Sequence, residues 1–286
     1  MLHDKLGEIL RDSRDEVGAK QQWEQVSRLL PHDPGAFNNL GIICNGLGQA
    51  KEAENHFHHA LRLRPEMAEA LNGLGLTLAK GGNPGEAVKY YLRALARKPD
   101  FIAARINLGV AYELQGQPTE AKAQYREAVR IRPDSAVAHA NLGKMLASSG
   151  GLAEAVPHFA EAVKLEPDNA LMHYSLGNAL ASQRQESAAL VEFETAARLD
   201  PKFLEARVNL GVLWLRMGKS SEAAAEFSAA VSINPMSAMA QANLGMALAR
   251  LQRRNEALEH LKEAVKLDPG NATFRQYLNT LDRSPR

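Results

Sequence analysis

The residues best suited to binding a metal ion lie in the segment NHFHHA, residues 55–60, which holds three histidines within four positions. His56 and His59 are three residues apart, so on a helix they would share a face and could hold a metal weakly. A metal site also needs a third ligand and hydrogen-bonded support around it, and nothing nearby in the sequence supplies either. We therefore expect these histidines to lie on a solvated helix face, with no metal or other cofactor.

The single cysteine, Cys44, bears on both compartment and reactivity. One cysteine cannot form an internal disulfide framework, which favours a reducing compartment. Cys44 occupies a position that recurs along the chain and is otherwise held by large apolar residues, so we expect a small core residue and not a nucleophile. The sequence also contains no phosphate-binding loop and no serine-centred elbow. We therefore expect no enzymatic activity.

Asparagines recur at multiples of one spacing and have the chemistry to bind a polypeptide backbone. A side-chain amide offers one acceptor and two donors, so it can pair with both the N–H and the C=O of an extended peptide. Gly73 and Ser175 hold the same position in two places. The recurring residues are Asn39, Asn107, Asn141, Asn209 and Asn243.

The asparagine spacing belongs to a 34-residue period that runs through the chain. Glycines, alanines and large side chains keep the same step, for example Gly109, Ala121 and Tyr125 in one period. Four residue classes do not stay in phase over eight periods by chance, and such a period indicates a solenoid. The prolines that mark it stand at 31, 65, 99, 133, 167, 201, 235 and 269.

Each period predicts two helices separated by turns. In residues 102–135 the first helix is expected to end near Gln115, because Gly116 supplies the left-handed residue that favours a helix C-terminus. Pro118 is expected to open the second helix at its first turn, and Pro133 to stop it. Pro157 falls well inside its second helix and should kink it.

The period resembles the tetratricopeptide repeat (TPR) family, on the residues Leu108, Gly109, Tyr112, Ala121, Tyr125, Ala128 and Pro133. The resemblance implies an all-α, right-handed superhelical solenoid of antiparallel helix hairpins. It departs from the family where a tryptophan is usual, a position that holds Phe37, Leu71, Arg105, His139, His173, Arg207 and Gln241. We assign one solenoid with repeats 1–33, 34–67, 68–101, 102–135, 136–169, 170–203, 204–237 and 238–271, closed by a capping helix at 272–286.

Gly109 needs a structural reason, because glycine inside a helix costs about 1 kcal/mol relative to alanine. We expect Gly109 to face Ala121 and Ala128 of its partner helix, where small residues allow two backbones to approach closely. Leu108, Tyr112 and Tyr125 should fill the space around that crossing. On this view alanine is tolerated at 109 and leucine is not.

The resemblance further implies that the first helix of each hairpin lines a concave groove. Neighbouring first helices lie about 10 Å apart and an extended peptide advances about 3.3 Å per residue, so one asparagine per repeat would meet about every third peptide residue. The arrangement resembles the TPR region of O-linked N-acetylglucosamine transferases. The alternative is that these amides bond to neighbouring helices and fix the repeat register. The predicted peptide-binding residues are Asn39, Asn107, Asn141, Asn209, Asn243, Val110, Tyr174, Asn178, Val208, Val212 and Met246.

The composition of the chain also indicates which kinds of partner it does not bind. The chain has 34 lysines and arginines against 33 aspartates and glutamates, so it lacks the basic excess that is typical of a nucleic-acid-binding protein,. The N-terminus is charged from residue 3, and no apolar run reaches membrane-spanning length, so we expect a cytoplasmic protein that does not bind membranes,.

We therefore expect a non-catalytic scaffold that binds extended segments of a protein partner, whose identity the sequence leaves open. The alternative is the substrate-recruiting arm of a larger or separate enzyme such as a glycosyltransferase, suggested by Met1 lying inside a repeat without a helix before it. A third possibility is oligomerisation through the solenoid ends; the oligomeric state stays open. We do not expect a clamp for C-terminal carboxylates, because the lysine and asparagine set it needs is missing.

Overall fold

The computed structural model describes residues 15–283, which form sixteen α-helices and no β-strand. The chain divides into two compact units at Met145 and Leu146. The first unit contains α1 (Glu16–Leu29), α2 (Pro34–Gly46), α3 (Ala50–Leu63), α4 (Ala68–Lys80), α5 (Pro84–Arg97), α6 (Ile102–Leu114), α7 (Pro118–Ile131) and most of α8 (Ala136–Ser148). The second contains α9 (Leu152–Leu165), α10 (Ala170–Ser182), α11 (Glu186–Leu199), α12 (Leu204–Arg216), α13 (Ser220–Ile233), α14 (Ala238–Arg250), α15 (Arg254–Leu267) and α16 (Ala272–Arg283).

Within each unit the helices pack as hairpins, each against the next. In the first unit α2 packs on α3, α4 on α5 and α6 on α7, and the second unit repeats this with α10 to α15. First helices of successive hairpins also contact each other: α2 with α4, and α4 with α6, and in the second unit α12 with α14. The predicted all-α hairpin architecture is confirmed. The predicted first helix of repeat 1–33 lies outside the described residues.

The repeating alanine and large side chain form the core of every described hairpin. The alanines have no exposed surface, and the large side chains are at most 5% exposed. Cys44 is fully buried in the same core, as predicted. The alanines are Ala19, Ala53, Ala87, Ala121, Ala155, Ala189, Ala223 and Ala257, and the large residues are Trp23, Phe57, Tyr91, Tyr125, Phe159, Phe193, Phe227 and Leu261.

The structure corrects the expectation for Gly109. A Cβ at Gly109 would lie 2.5 Å from Cε1 of Tyr125, and no alanine is among its nearest atoms. The glycine therefore makes room for the aromatic ring of the second helix, and not for a close approach of two small residues. Gly75 and Tyr91 repeat the arrangement in the first unit, as Gly211 and Phe227 do in the second.

The turns between paired helices follow the glycine prediction. The glycine after the first helix is left-handed, with φ between 69° and 84° at Gly48, Gly82, Gly116, Gly150 and Gly218. Two repeats place a residue with a side chain at that position. Arg184 has φ 60° and Gln252 has φ 63°, a conformation that glycine adopts without the steric cost that a Cβ brings,.

Where a polar residue replaces the family's tryptophan, it ties its hairpin to the turn before it, which occurs at Arg105, His139, His173, Arg207 and Gln241. Arg207 donates through Nε to the carbonyl oxygen of Pro201 at 2.9 Å and through Nη1 to Glu226 at 2.7 Å. His173 makes the equivalent contacts with Pro167 and Glu192. The departure from the family pattern therefore marks a polar bridge from turn to second helix, which sequence reasoning missed.

Pro157 lies inside α9, as predicted, and Pro118 and Pro84 open α7 and α5. Helix α16 lies within the segment 272–286 that was predicted to cap the solenoid; it packs on α15 and buries Phe274. Between residues 15 and 283, no helix combines the length and the apolar character needed to cross a membrane.

Candidate peptide-binding face

The candidate site is the surface formed by the first helices of successive hairpins, here called the first-helix face of each unit. The recurring asparagines lie on it: Asn107 on α6 and Asn141 on α8 in the first unit, and Asn209 on α12 and Asn243 on α14 in the second. Their surroundings differ from repeat to repeat.

Two of the asparagines are hydrogen-bonded to the preceding repeat. Asn107 donates through Nδ2 to Oδ1 of Asn72 at 3.0 Å. Asn209 donates through Nδ2 to Oδ1 of Asn178 at 2.7 Å, with the hydroxyl of Tyr174 at 3.4 Å. These amides link neighbouring first helices, which is what the register alternative expects of them.

Two others make no such link. Asn141 donates only to the carbonyl oxygen of Val137 in its own helix, at 3.0 Å. Asn243 is 5% exposed, and its side chain makes no hydrogen bond with any residue between 15 and 283. Asn39 is half-buried at the corresponding position of α2.

The difference follows from the residues 35 and 31 positions earlier in the chain. Asn209 finds Tyr174 and Asn178 there, and Asn107 finds Asn72. Asn243 finds Val208 and Val212, and Asn141 finds Ile106 and Val110, none of which can accept a hydrogen bond through its side chain,. An asparagine is thus tied to its neighbour only where the preceding repeat presents a polar side chain.

A cavity of about 450 Å³ opens on the first-helix face of the second unit, beside Asn243. Its lining is mostly apolar and comes from α12, α14, α15 and α16. Arg216 and Arg250 lie at its edge, and Arg250 donates through Nη1 to the carbonyl oxygen of Leu215 at 2.8 Å. The apolar lining residues are Val212, Leu215, Met246, Ala249, Leu261, Tyr277 and Leu281.

A second cavity, of about 530 Å³, lies on the first-helix face of the first unit and is rich in amides. Asn38 lines it with 5% exposure, and its Oδ1 is buried without a hydrogen-bond partner. The residue 35 positions later is Gly73, where most repeats have an asparagine, and a Cβ there would collide with the ring of Phe57. Asn38 therefore lacks the donor that Asn72 receives from Asn107. Asn39, Asn45 and Asn72 also line this cavity.

The remaining predicted residues divide between surface and packing. Val110 is 38% exposed on the first-helix face. Val208 and Val212 are half-buried against the core of the second unit, and Met246 is half-buried in the apolar cavity. Tyr174 is half-buried, and its ring packs against that of Phe203 with centroids 4.8 Å apart.

The three histidines, expected on a solvated helix face, are all half-buried. The His59 ring stacks on Phe37 with centroids 3.7 Å apart. The pKa of His56 is lowered, mainly by burial. The side chain of His58 is 44% exposed and lies 3.6 Å from Glu54.

Instead of His59, the structure brings two other ligand types to His56. Cys44 Sγ, a carboxylate oxygen of Glu52 and a ring nitrogen of His56 all lie within 4.8 Å of one another. Lys20 donates to Glu52 Oε2 at 2.6 Å and to Gln49 Oε1 at 2.8 Å. The hydrogen bond raises the pKa of Lys20 and lowers that of Glu52. Sequence reasoning missed this cluster because Cys44 and Lys20 come from other helices.

Comparison with known proteins agrees with this architecture. Family profiles for the tetratricopeptide repeat match residues 34–100, 77–136, 143–183, 185–235 and 208–272. The chain belongs to the tetratricopeptide repeat family. A search of curated protein sequences finds no match.

Solved structures share the fold at low sequence identity. A chain of the Cut9–Hcn1 hetero-tetramer of the APC/C aligns with a TM-score of 0.68 and 15% identity over 93% of this chain, which spans 52% of that chain. YrrB, described as a TPR protein with an unusual peptide-binding site, aligns at 0.60 and 24% identity over 68% of this chain and 99% of its own. Pseudomonas aeruginosa pilF aligns at 0.68 and 20% identity over 76% of this chain and 99% of its own.

Proposed function

We propose that this chain is a non-catalytic scaffold that binds extended peptide segments of partner proteins on its first-helix faces. One observation carries the proposal: the amides on these faces that lack a hydrogen-bond partner line the cavities. Asn243 lines the apolar cavity of the second unit, and Asn38 lines the amide-rich cavity of the first. Buried polar groups are normally satisfied, so an amide left open beside a cavity favours a ligand that supplies the partner.

The division of the asparagines refines which residues bind. Asn107 and Asn209 hold neighbouring repeats together, whereas Asn141 and Asn243 have no neighbour to bind and are proposed to contact the peptide backbone. An amide can pair with both groups of a peptide unit, and each hydrogen bond contributes about 0.5–1.5 kcal/mol. Backbone contacts of this kind give affinity without selecting a side-chain sequence.

The apolar cavity supplies the selection. Val212, Leu215 and Met246 form a surface that favours an apolar side chain, and burying a Leu-sized or Phe-sized group contributes about 1.5–3 kcal/mol,. Arg216 and Arg250 at the edge favour an acidic residue beside that anchor,. The proposed ligand of the second unit is therefore an extended segment with one large apolar and one acidic side chain. The structural similarity to YrrB, a TPR protein with a peptide-binding site of its own, supports a peptide ligand.

The same faces would serve the alternative role of a recruiting arm for an enzyme such as a glycosyltransferase. That role rests on the asparagine positions, and the comparisons carry no specific link to that class of enzyme.

The methionines offer a direct test of where a peptide binds. Peptides that bind the purified 286-residue chain would first be selected from a displayed random library. The best peptide would then be added to the chain labelled at the methyl groups of its eight methionines. The best peptide should shift the NMR signal of Met246, in the cavity, and leave that of Met67, packed on the core of the first unit, unchanged. Shifts confined to methionines outside the first-helix faces would overturn the proposal.

A further inference from the structure

The cluster of Cys44, Glu52 and His56 combines three different metal-ligating groups within one hairpin. Cys44 lies on α2, and Glu52 and His56 lie one helical turn apart on α3, so the hairpin crossing brings them together. The ligand atoms lie within 4.8 Å of one another. The thiol is fully buried, the imidazole is half-buried and the carboxylate is exposed, so the cluster is open to solvent at the Glu52 side.

We propose that Cys44, Glu52 and His56 form a binding site for a divalent transition-metal ion of the zinc class. Thiolate, imidazole and carboxylate are the three protein ligands that zinc uses, with bonds of about 2.0–2.3 Å. A tetrahedral arrangement with such bonds separates neighbouring ligand atoms by about 3.3–3.8 Å. The observed separations therefore close to that arrangement through side-chain shifts of about 1 Å.

The position of Lys20 supports the proposal, because its ammonium already occupies the cluster as a cation. Lys20 Nζ lies 2.6 Å from Glu52 Oε2 and 2.8 Å from Gln49 Oε1, and these two oxygens would contact a metal ion once the ammonium moved away. Gln49 or a water molecule would then fill the fourth position of an open site.

The cluster stays electrically neutral when a metal ion replaces the Lys20 ammonium. Without metal, the Lys20 ammonium balances the Glu52 carboxylate beside a neutral thiol. With metal, two positive charges are balanced by the carboxylate and by the thiolate that Cys44 becomes on losing its proton to solvent. The ammonium swings out to water, where its long side chain is easily solvated. Metal and Lys20 therefore compete for the same carboxylate.

The chain contains a natural control for the role of the thiol. Repeat 238–271 places Glu256 and His260 at the positions of Glu52 and His56, but Leu248 stands where Cys44 stands. A carboxylate and an imidazole alone give too few ligands for a tight site. Binding should therefore be confined to the hairpin that carries the cysteine.

Cobalt(II) is the probe, because its coordination by a thiolate gives a charge-transfer absorption that a carboxylate and an imidazole do not. The full chain, stripped of metal, would be titrated with Co²⁺ and then with Zn²⁺ as competitor. We expect this absorption to saturate at one equivalent and to disappear when zinc is added. It should be lost in Cys44→Ser and weakened at least tenfold in affinity in His56→Gln, with the melting temperature showing that each variant is folded.

The Lys20→Met variant tests the competition. Removing the ammonium should tighten Co²⁺ binding at least tenfold, whereas Lys89→Met, which removes the exposed partner of Glu86, should leave it unchanged. If neither the wild-type chain nor Lys20→Met shows the thiolate absorption, the proposal is overturned and the cluster is an ion pair beside a core cysteine. This result leaves peptide binding untouched, because the cluster takes no part in it.

Discussion

Asn209 and Asn178 are joined by a hydrogen bond of 2.7 Å that crosses from one first helix to the next. Asn243 holds the same position one repeat later, but Val208 and Val212 stand where Asn209 finds its partners. The same residue type therefore links repeats in one place and is left open to a cavity in another. The side chains that the preceding repeat presents determine whether the asparagine links two repeats or faces the cavity.

We expect Asn209→Ala to lower the free energy of unfolding by about 1 kcal/mol, because the bond is lost and Asn178 is left without its donor. Asn243→Ala should leave stability within about 0.5 kcal/mol, because no described hydrogen bond is lost and alanine is the better helix former. Urea denaturation of both variants measures the difference. Equal losses would mean that the two asparagines have the same role.

We expect Gly109→Ala to destabilise the chain by about 1–3 kcal/mol, because its Cβ would lie 2.5 Å from the ring of Tyr125 in a closely packed core,. Gly85→Ala is the matched control, since its Cβ would approach nothing nearer than Gln115 Oε1 at 3.9 Å. That change should stabilise α5 slightly through helix propensity. Thermal unfolding compares the two, and a neutral Gly109→Ala would contradict the packing described for this position.

We expect Arg184→Gly to raise the free energy of unfolding by about 0.5–1 kcal/mol. The left-handed backbone at φ 60° is costly for a residue with a Cβ, and this gain exceeds the extra entropy of glycine in the unfolded chain,. Gln252→Gly should behave alike, whereas Gly116→Ala should destabilise by a similar amount. A destabilised Arg184→Gly would show that the arginine side chain contributes more than the strain costs.

We expect the chain to lose stability as the pH falls below about 6.5, partly through His260. Burial lowers the pKa of this imidazole from its ordinary value of 6.5, against a weaker opposing effect of Glu259 and Glu256. The unfolded chain then binds the proton at higher pH than the folded chain, so the stabilisation is complete above pH 6.5 and declines below it,.

His260→Gln isolates this contribution, because glutamine can still donate to Gln241. Urea midpoints at about pH 7.5 and about pH 5.5 should differ less in this variant than in the wild-type chain. His58→Gln, at a side chain that is 44% exposed, serves as the control. An unchanged pH dependence in His260→Gln would rule out this source of acid sensitivity.

The fold was predictable because its signals repeat. The alanine at 121, the large side chain at 125 and the proline at 133 each recur in phase, so a local preference that is weak in one repeat becomes decisive over eight. The role of Gly109 was predicted less well, because periodicity shows that a position must be small without showing what it faces. The ring of Tyr125 reaches it only through the geometry of the hairpin.

The candidate site was only partly predictable. Asn209 pairs with Asn178, and Asn243 lacks a partner, because of the side chains that stand 31 and 35 positions earlier in the chain. These side chains become neighbours only after the first helices stack, so the sequence alone does not show the contact. The cluster of Cys44, Glu52 and His56 was hidden for the same reason, since the cysteine lies on the neighbouring helix. The sequence does contain a signal for the unpaired Oδ1 of Asn38: Gly73 stands at a position where most repeats have an asparagine.

The most direct test of peptide binding on the first-helix faces is the affinity of one selected peptide for two aspartate variants. Met246→Asp places a carboxylate in the apolar cavity, and Val191→Asp places one at a 57% exposed apolar residue of the second helix α11. Calorimetric titration should show a loss of at least tenfold for Met246→Asp, about 1.4 kcal/mol or more, and a change of less than about twofold for Val191→Asp, with both variants folded. Equal affinity for the two variants, or a larger loss for Val191→Asp, would contradict binding at this face.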